Sequence, residues 1–263
     1  MDFRKRSSPQ VVLVASVVVC LLMATASTHG QQPRVSVPPG QVQQLLNTGQ
    51  NYFDQGRFDD ALRVYSQVIA LAMKDPKVSA TANLRIGSIY LAQRKTDNAV
   101  ASFQRVVTLA PDMAEAYNYL GEALGELKQY TRAIQSFNRA VALDPQLLRA
   151  RYNMGVTYAR MGNPKYSEFV FRALIKNSPA YSLGFDGLAV TLSRSGRAKE
   201  AIPVHERAIS LAPNEPSYYY NLGLSYLILG NTEKALEQQE KLRMIDTRVA
   251  DQLASVIIKR QLG

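Results

Sequence analysis

The chain repeats itself every 34 residues. Gly87, Gly121, Gly155 and Gly223 fall on one lattice of that spacing, with Ala189 in the missing place. Pro111, Pro145, Pro179 and Pro213 form a second lattice. Ala99, Ala133, Ala201 and Ala235 form a third, with Ser167 in its gap, and Phe103, Phe137 and Phe171 begin a fourth. Lattices that share one period specify a stack of similar units, each burying its apolar face only against its neighbours.

Within a unit the residue types have physical reasons. Positions 4, 7, 8 and 11 lie on one stripe of a helix at 100° per residue; in the third unit these are Tyr117, Leu120, Gly121 and Leu124. Small residues at position 8, and alanine at position 20 on a second helix, are expected to let two backbones approach closely. Aromatic residues at positions 11 and 24 are expected to fill the space between successive units. Proline at position 32 stops the second helix, where its missing N–H costs nothing.

This pattern resembles the tetratricopeptide repeat over residues 42–249. It is clearest in AEAYNYLGEALGELKQYTRAIQSFNRAVALDP (114–145) and PSYYYNLGLSYLILGNTEKALEQQEKL (216–242). The resemblance implies an all-α fold: two antiparallel helices per repeat, stacked into a right-handed α-α superhelix. The repeats fall near 42–79, 80–113, 114–147, 148–181, 182–215 and 216–249. The first carries Gly49, Tyr52, Ala61 and Tyr65 in the signature places, and Gly49 to Gly87 spans 38 residues, so MKDPKV is expected to lengthen its second helix or the turn after it.

Some residues depart from the pattern. His205 and Gln239 take the aromatic place of the last two repeats, and Pro203 is expected to loosen the first turn of its helix. Residues 250–263, in a segment beginning near 246, carry Leu253, Val256 and Ile257 at helical spacing after Val249, and read as a capping helix over the last apolar face.

Ahead of the array, Arg4, Lys5 and Arg6 precede the apolar run VVLVASVVVCLLM (11–23) and then Ala24-Thr25-Ala26. Residues 1–26 read as a cleaved secretory signal, with an uncleaved N-terminal membrane anchor as the alternative. Val17-Val18-Val19 before Cys20 argues against lipidation there. Residues 27–41 (STHGQQPRVSVPPGQ) read as a flexible tether. The expected location is therefore exported, in the periplasm or associated with the cell envelope.

Composition narrows the chemistry. One Cys excludes a disulfide framework and Cys-rich zinc sites, and the single apolar run excludes a polytopic membrane protein. With two His and no nucleophile–base pair, HExxH motif or phosphate loop, the sequence offers no catalytic, cofactor or metal site. Losing residues 1–26 takes two units from the net charge of +10, leaving +8. The fourth repeat alone holds +5, from Arg149, Arg151, Arg160, Lys165, Arg172 and Lys176 against Glu168, whereas the fifth and sixth balance. A basic module suits an anionic protein, lipid or glycan surface; export disfavours nucleic acid.

Positions 2, 5, 9 and 12 of each first helix fall opposite the packing stripe, and the resemblance places them on the concave wall. Leu46, Phe53, Leu84 and Leu91 form an apolar zone there, and Glu115, Asn118, Glu122 and the adjacent Glu126 an acidic one. Arg149, Tyr152 and the adjacent Arg160 form a basic zone, with Asp186, Arg194 and Tyr220 beyond. Glu115, Glu122 and Glu126 are expected to point the same way, beside the wall of Arg149 and Arg160. Some members of the family clamp a chaperone's C-terminal carboxylate; Leu46 and Gln50 stand on the corresponding stripe of the first repeat and argue against that ligand. The sequence thus points to a non-catalytic scaffold for a protein or peptide in a bacterial cell-envelope assembly, with membrane contact only through an uncleaved leader. The alternative is an accessory of glycan or polymer export that reads anionic saccharide through Arg149, Arg160 and nearby tyrosines.

Overall fold

The computed structural model describes residues 39–262, so the leader and most of the tether lie outside the described residues. Thirteen helices follow one another there: α1 Pro39–Asp54, α2 Phe58–Leu71, α3 Pro76–Ala92, α4 Thr96–Leu109, α5 Ala114–Glu126, α6 Tyr130–Leu143 and α7 Leu148–Arg160. The series continues with α8 Pro164–Asn177, α9 Ser182–Arg194, α10 Ala198–Leu211, α11 Pro216–Ile228, α12 Thr232–Arg243 and α13 Thr247–Leu262. Among the described residues there is no strand. Each helix packs on the next, and odd-numbered helices other than the α3–α5 pair also pack on the odd-numbered helix two along, as α5 does on α7 and α7 on α9. Even-numbered helices make no comparable contact with one another, so the odd helices crowd into an inner wall and the even ones splay into an outer wall. The core is correspondingly a chain of apolar clusters.

One turn geometry joins the two helices of every pair. Its fifteenth repeat position has positive φ in Gly56, Gly162, Gly196 and Gly230, and also in Arg94 (59°) and Lys128 (61°). The left-handed conformation is natural for glycine and strained for the other two.

The position-8 glycines do not serve as expected. A Cβ built on Gly121 would lie 2.6 Å from the Phe137 ring, and one on Gly87 2.5 Å from Phe103. Gly49 and Gly155 face Tyr65 and Phe171 in the same way. The space is therefore occupied by the aromatic at position 24 of the same repeat, not by a neighbouring backbone. Where that ring is the smaller imidazole of His205, position 8 carries the methyl of Ala189, and both residues are fully buried.

Three further expectations change. The residues that stretch the first spacing lengthen neither α2, which has 14 residues, nor its turn; they add a turn to the start of α3, which has 17 residues against 13 in α5. Asp75 starts α3 early by accepting from the N–H groups of Lys77 (3.0 Å) and Val78 (3.1 Å), with Pro76 as first helical residue. Residues 39–41, assigned to the tether, are the first turn of α1. Finally, α10 runs unbroken through Pro203: Glu200 and Ala201 still donate to the Arg197 carbonyl, and the proline ring faces solvent.

At the C-terminal end Asp246 caps α13 by accepting from the Val249 N–H at 3.1 Å. Ala250, Leu253 and Ile257 are buried against Leu222, Tyr226 and Leu242. Leu253 takes the place over Gly223 that a ring takes elsewhere: a Cβ on that glycine would meet it at 2.7 Å.

Candidate binding cleft on the inner wall

The apolar zone is not an open groove. Leu46 and Phe53 are half-buried against the first cluster, where Phe53 meets Phe58 at 5.7 Å between ring centroids, and Leu84 and Leu91 pack on the second. Glu115 is exposed, but Asn118 is 1% exposed and cannot reach a ligand.

Asn118 instead belongs to a lateral link between first helices. The amide of Asn153, at position 6 of the fourth repeat, donates to Asn118 Oδ1 (3.0 Å) and Glu122 Oε1 (2.6 Å). Asn118 donates to Glu122 as well (2.8 Å); Arg149 Nε lies 3.4 Å from the same carboxylate, and its guanidinium carbon Cζ lies 4.9 Å from the centre of the Tyr119 ring. Glu122 and Arg149 thus brace two repeats. Glu126 turns away from them and accepts from Thr96 Oγ1 at 3.1 Å, at the start of α4. The three glutamates therefore do not point one way. Arg149 does stand beside the acidic face, as expected, whereas Arg160 lies eleven residues along the same helix, about 16 Å away at 1.5 Å per residue.

The same link recurs 68 residues on. Asn221, again at position 6, donates to both oxygens of Asp186 at 3.1 Å. Asp186 is buried, and His205 Nδ1 lies 3.1 Å behind it; Nε2 of this fully buried imidazole has no partner. Between α7 and α9 the link is missing. The position-5 residue is Tyr152 and the facing position 6 is Gly187, which has no side chain to extend; a Cβ there would fall 2.4 Å from the Phe171 ring.

A cleft of about 640 Å³ opens at this place. Val156, Ala159 and Val190 make its apolar sides, Tyr152 and Phe171 (5.7 Å between centroids) its aromatic end, and Asp186 contributes a carboxylate. Arg160 and Arg194 stand exposed at its edge, with no ion-pair partner among the described residues. Burial, reinforced by the Asp186 charge, pushes the Tyr152 phenol up to about 12, so it keeps its proton. Cationic donors, an apolar enclosure and one carboxylate form a site that holds a ligand by shape and charge. Tyr220 lies elsewhere, beside Arg248 and Asp251 at the α11–α13 junction.

The structure thus gathers Tyr152, Arg160, Asp186 and Arg194 from the expected set and excludes Asn118, Arg149 and Tyr220. Sequence reasoning missed Gly187, Asn153 and Asn221. Their signal was position 6, where asparagine faces a polar residue 35 places earlier in two repeats.

Comparison with known proteins agrees with the helix pairs. Tetratricopeptide repeat profiles match residues 46–114, 84–147, 185–217 and 206–237. The chain belongs to the tetratricopeptide repeat family. Residues 148–184, one side of the cleft, fall between these matches. A curated relative, the CTR9 homolog of Arabidopsis thaliana, is 25% identical over 256 residues, which is 81% of this chain and 23% of the relative. The chain therefore spans about a quarter of that relative's length. Among solved structures, a tetratricopeptide repeat protein from Parabacteroides merdae superposes with a TM-score of 0.69 at 21% identity, covering 86% of this chain and 87% of its own. PilW, described as a type IV pilus biogenesis factor, gives 0.69 at 22% identity, covering 84% and 100%. PilF of Pseudomonas aeruginosa gives 0.62 at 15% identity, covering 81% and 96%. At these identities the structures share the tetratricopeptide fold.

Proposed function

We propose that this tetratricopeptide repeat protein is a non-catalytic scaffold that holds a peptide segment of a partner protein in the cleft between α7 and α9. The observation that carries the reading is the pair of unpartnered guanidinium groups, Arg160 and Arg194, above an apolar enclosure. A side chain between Val156 and Val190 contributes affinity, and a carboxylate at the two arginines sets register. Asp186, held by Asn221, contributes its negative charge to the cleft lining. Assembly of a bacterial cell-envelope structure is the setting we propose, supported by the basic-then-apolar leader and by the fold shared with PilW. No helix among the described residues is long and apolar enough to cross a membrane.

Peptide display against the full chain tests this. The expected result is enrichment of sequences pairing an apolar residue with a carboxylate, lost in the Arg160→Glu, Arg194→Glu double variant. Both side chains are exposed, so the fold stays within about 0.5 kcal/mol of wild type. Equal capture by the double variant removes the cleft from the reading.

A further inference from the structure

The excess charge of the fourth repeat is not absorbed by the cleft, which uses Arg160 alone of its basic residues. Three of the others lie on the outer helix α8. Lys165, Phe169, Arg172 and Lys176 follow one another at spacings of four, three and four, one face of a helix, and all are exposed. Phe169 is 70% exposed and Tyr166 beside it 58%, while the opposite side of α8 is fully engaged through Ser167, Val170, Phe171 and Leu174. The packing of the array does not require a phenylalanine in water at this place. Tyr166 stacks on Tyr158 at 5.5 Å between centroids, which fixes its ring at the surface.

The acid on α8 offsets only Arg172 among these cations. Glu168 is held by Arg172 (2.7 Å) and by Arg197 of the next repeat (2.7 Å). On the preceding outer helix, α6, Arg132 and Arg139 are exposed and no acidic residue occurs. The outer helices of repeats three and four therefore present Arg132, Arg139, Lys165 and Lys176 with no ion-pair partner among the described residues, besides the paired Arg172 and Glu168, around an aromatic pair. This wall splays outward, so it encloses nothing; it suits a broad, compliant anionic surface rather than a peptide. Aromatic rings at the depth of headgroups, flanked by lysines whose stems cover apolar surface, are the means by which a helix lies on a membrane.

We propose that the outer face of α8, with that of α6, is a peripheral docking surface for an anionic lipid membrane, independent of the leader. Lying on the outer wall, it leaves the cleft free for a partner while the protein rests on the bilayer.

The chain has no tryptophan, so Phe169→Trp in the full-length protein gives a single local reporter. Vesicles of phosphatidylglycerol with phosphatidylcholine are expected to shift its emission to the blue, and brominated acyl chains to quench it; pure phosphatidylcholine vesicles are expected to do neither. Tyr220→Trp, on the inner wall, is expected to stay unquenched, which separates docking through α8 from adsorption through the leader. Lys165→Gln with Lys176→Gln is expected to weaken the response roughly 30-fold, at about 1 kcal/mol for each lysine near such a surface. Equal quenching at both reporter positions, or none at position 169, overturns the proposal. So does a blue shift with soluble polyglutamate and none with vesicles, which makes the surface a site for acidic protein.

Discussion

The ring of Phe137 occupies the place where a side chain on residue 121 would begin: a Cβ built on Gly121 falls 2.6 Å from Cε1 of that ring. Gly121→Ala is therefore expected to lower stability by about 1–3 kcal/mol, the usual cost of overpacking. In a Phe137→Leu background the same alanine is expected to cost at least about 1 kcal/mol less, because the ring that opposes it is gone. Denaturant midpoints of the four proteins in this cycle measure the coupling.

Lys128 holds a conformation that four glycines hold at the same repeat position. Relief of left-handed strain is worth about 1–2 kcal/mol, and the greater freedom of unfolded glycine takes back about 0.5–1. Lys128→Gly is thus expected to raise stability by about 0.5–1 kcal/mol, read as a higher denaturation midpoint.

The Tyr152 phenol provides a signature at high pH. Its folded value lies near 12 against 10.0 for the free side chain, mainly through burial and then through Asp186. A raised value contributes stability that is complete below pH 10 and is lost as pH rises through 12, because the unfolded chain releases the proton first. Stability is expected to fall over that window by about 2 kcal/mol more in the wild type than in Tyr152→Phe. Urea titrations at successive pH values give the difference.

Leu253 closes the last repeat. Leu253→Ala is expected to cost about 2–5 kcal/mol, as for a buried leucine in a tight site. Removing residues 247–263 is expected to do more, exposing Leu222, Tyr226 and Leu227 and lowering solubility. A truncated chain that stays monomeric, with unchanged thermal unfolding, assigns α13 another duty.

The helix pairs were legible because their determinants repeat within the chain, so Gly121 and Phe137 each appear several times in register. The faces of single helices were legible for the same reason, so Tyr152 with Arg160, and Asp186 with Arg194, were each assigned to the inner side of one helix; that α7 and α9 open a cleft between them was not. Asn118 and Glu122 were misplaced because their partners, Asn153 and Arg149, sit on the next first helix, and a face drawn on one helix carries no information about lateral bonds. Gly187 was overlooked because the cleft depends on a side chain it lacks. The early start of α3 was missed because MKDPKV was assigned to the end of the first repeat, although Asp75-Pro76 within it is a helix-starting pair.

The joint between the fourth and fifth repeats is fastened unevenly. At the outer edge Glu168 ties α8 to Arg197, and in the interior between α8 and α9 Ser167 meets Thr191 at 3.0 Å. At the inner edge Tyr152 faces Gly187 with no side-chain bond across. A joint bonded along one margin and held by packing alone along the other is expected to bend about the bonded margin. Tension that straightens the coil spreads Arg160 from Arg194, and a ligand seated between them resists that opening. Mechanical compliance and ligand grip are then one property, set by a missing side chain at residue 187.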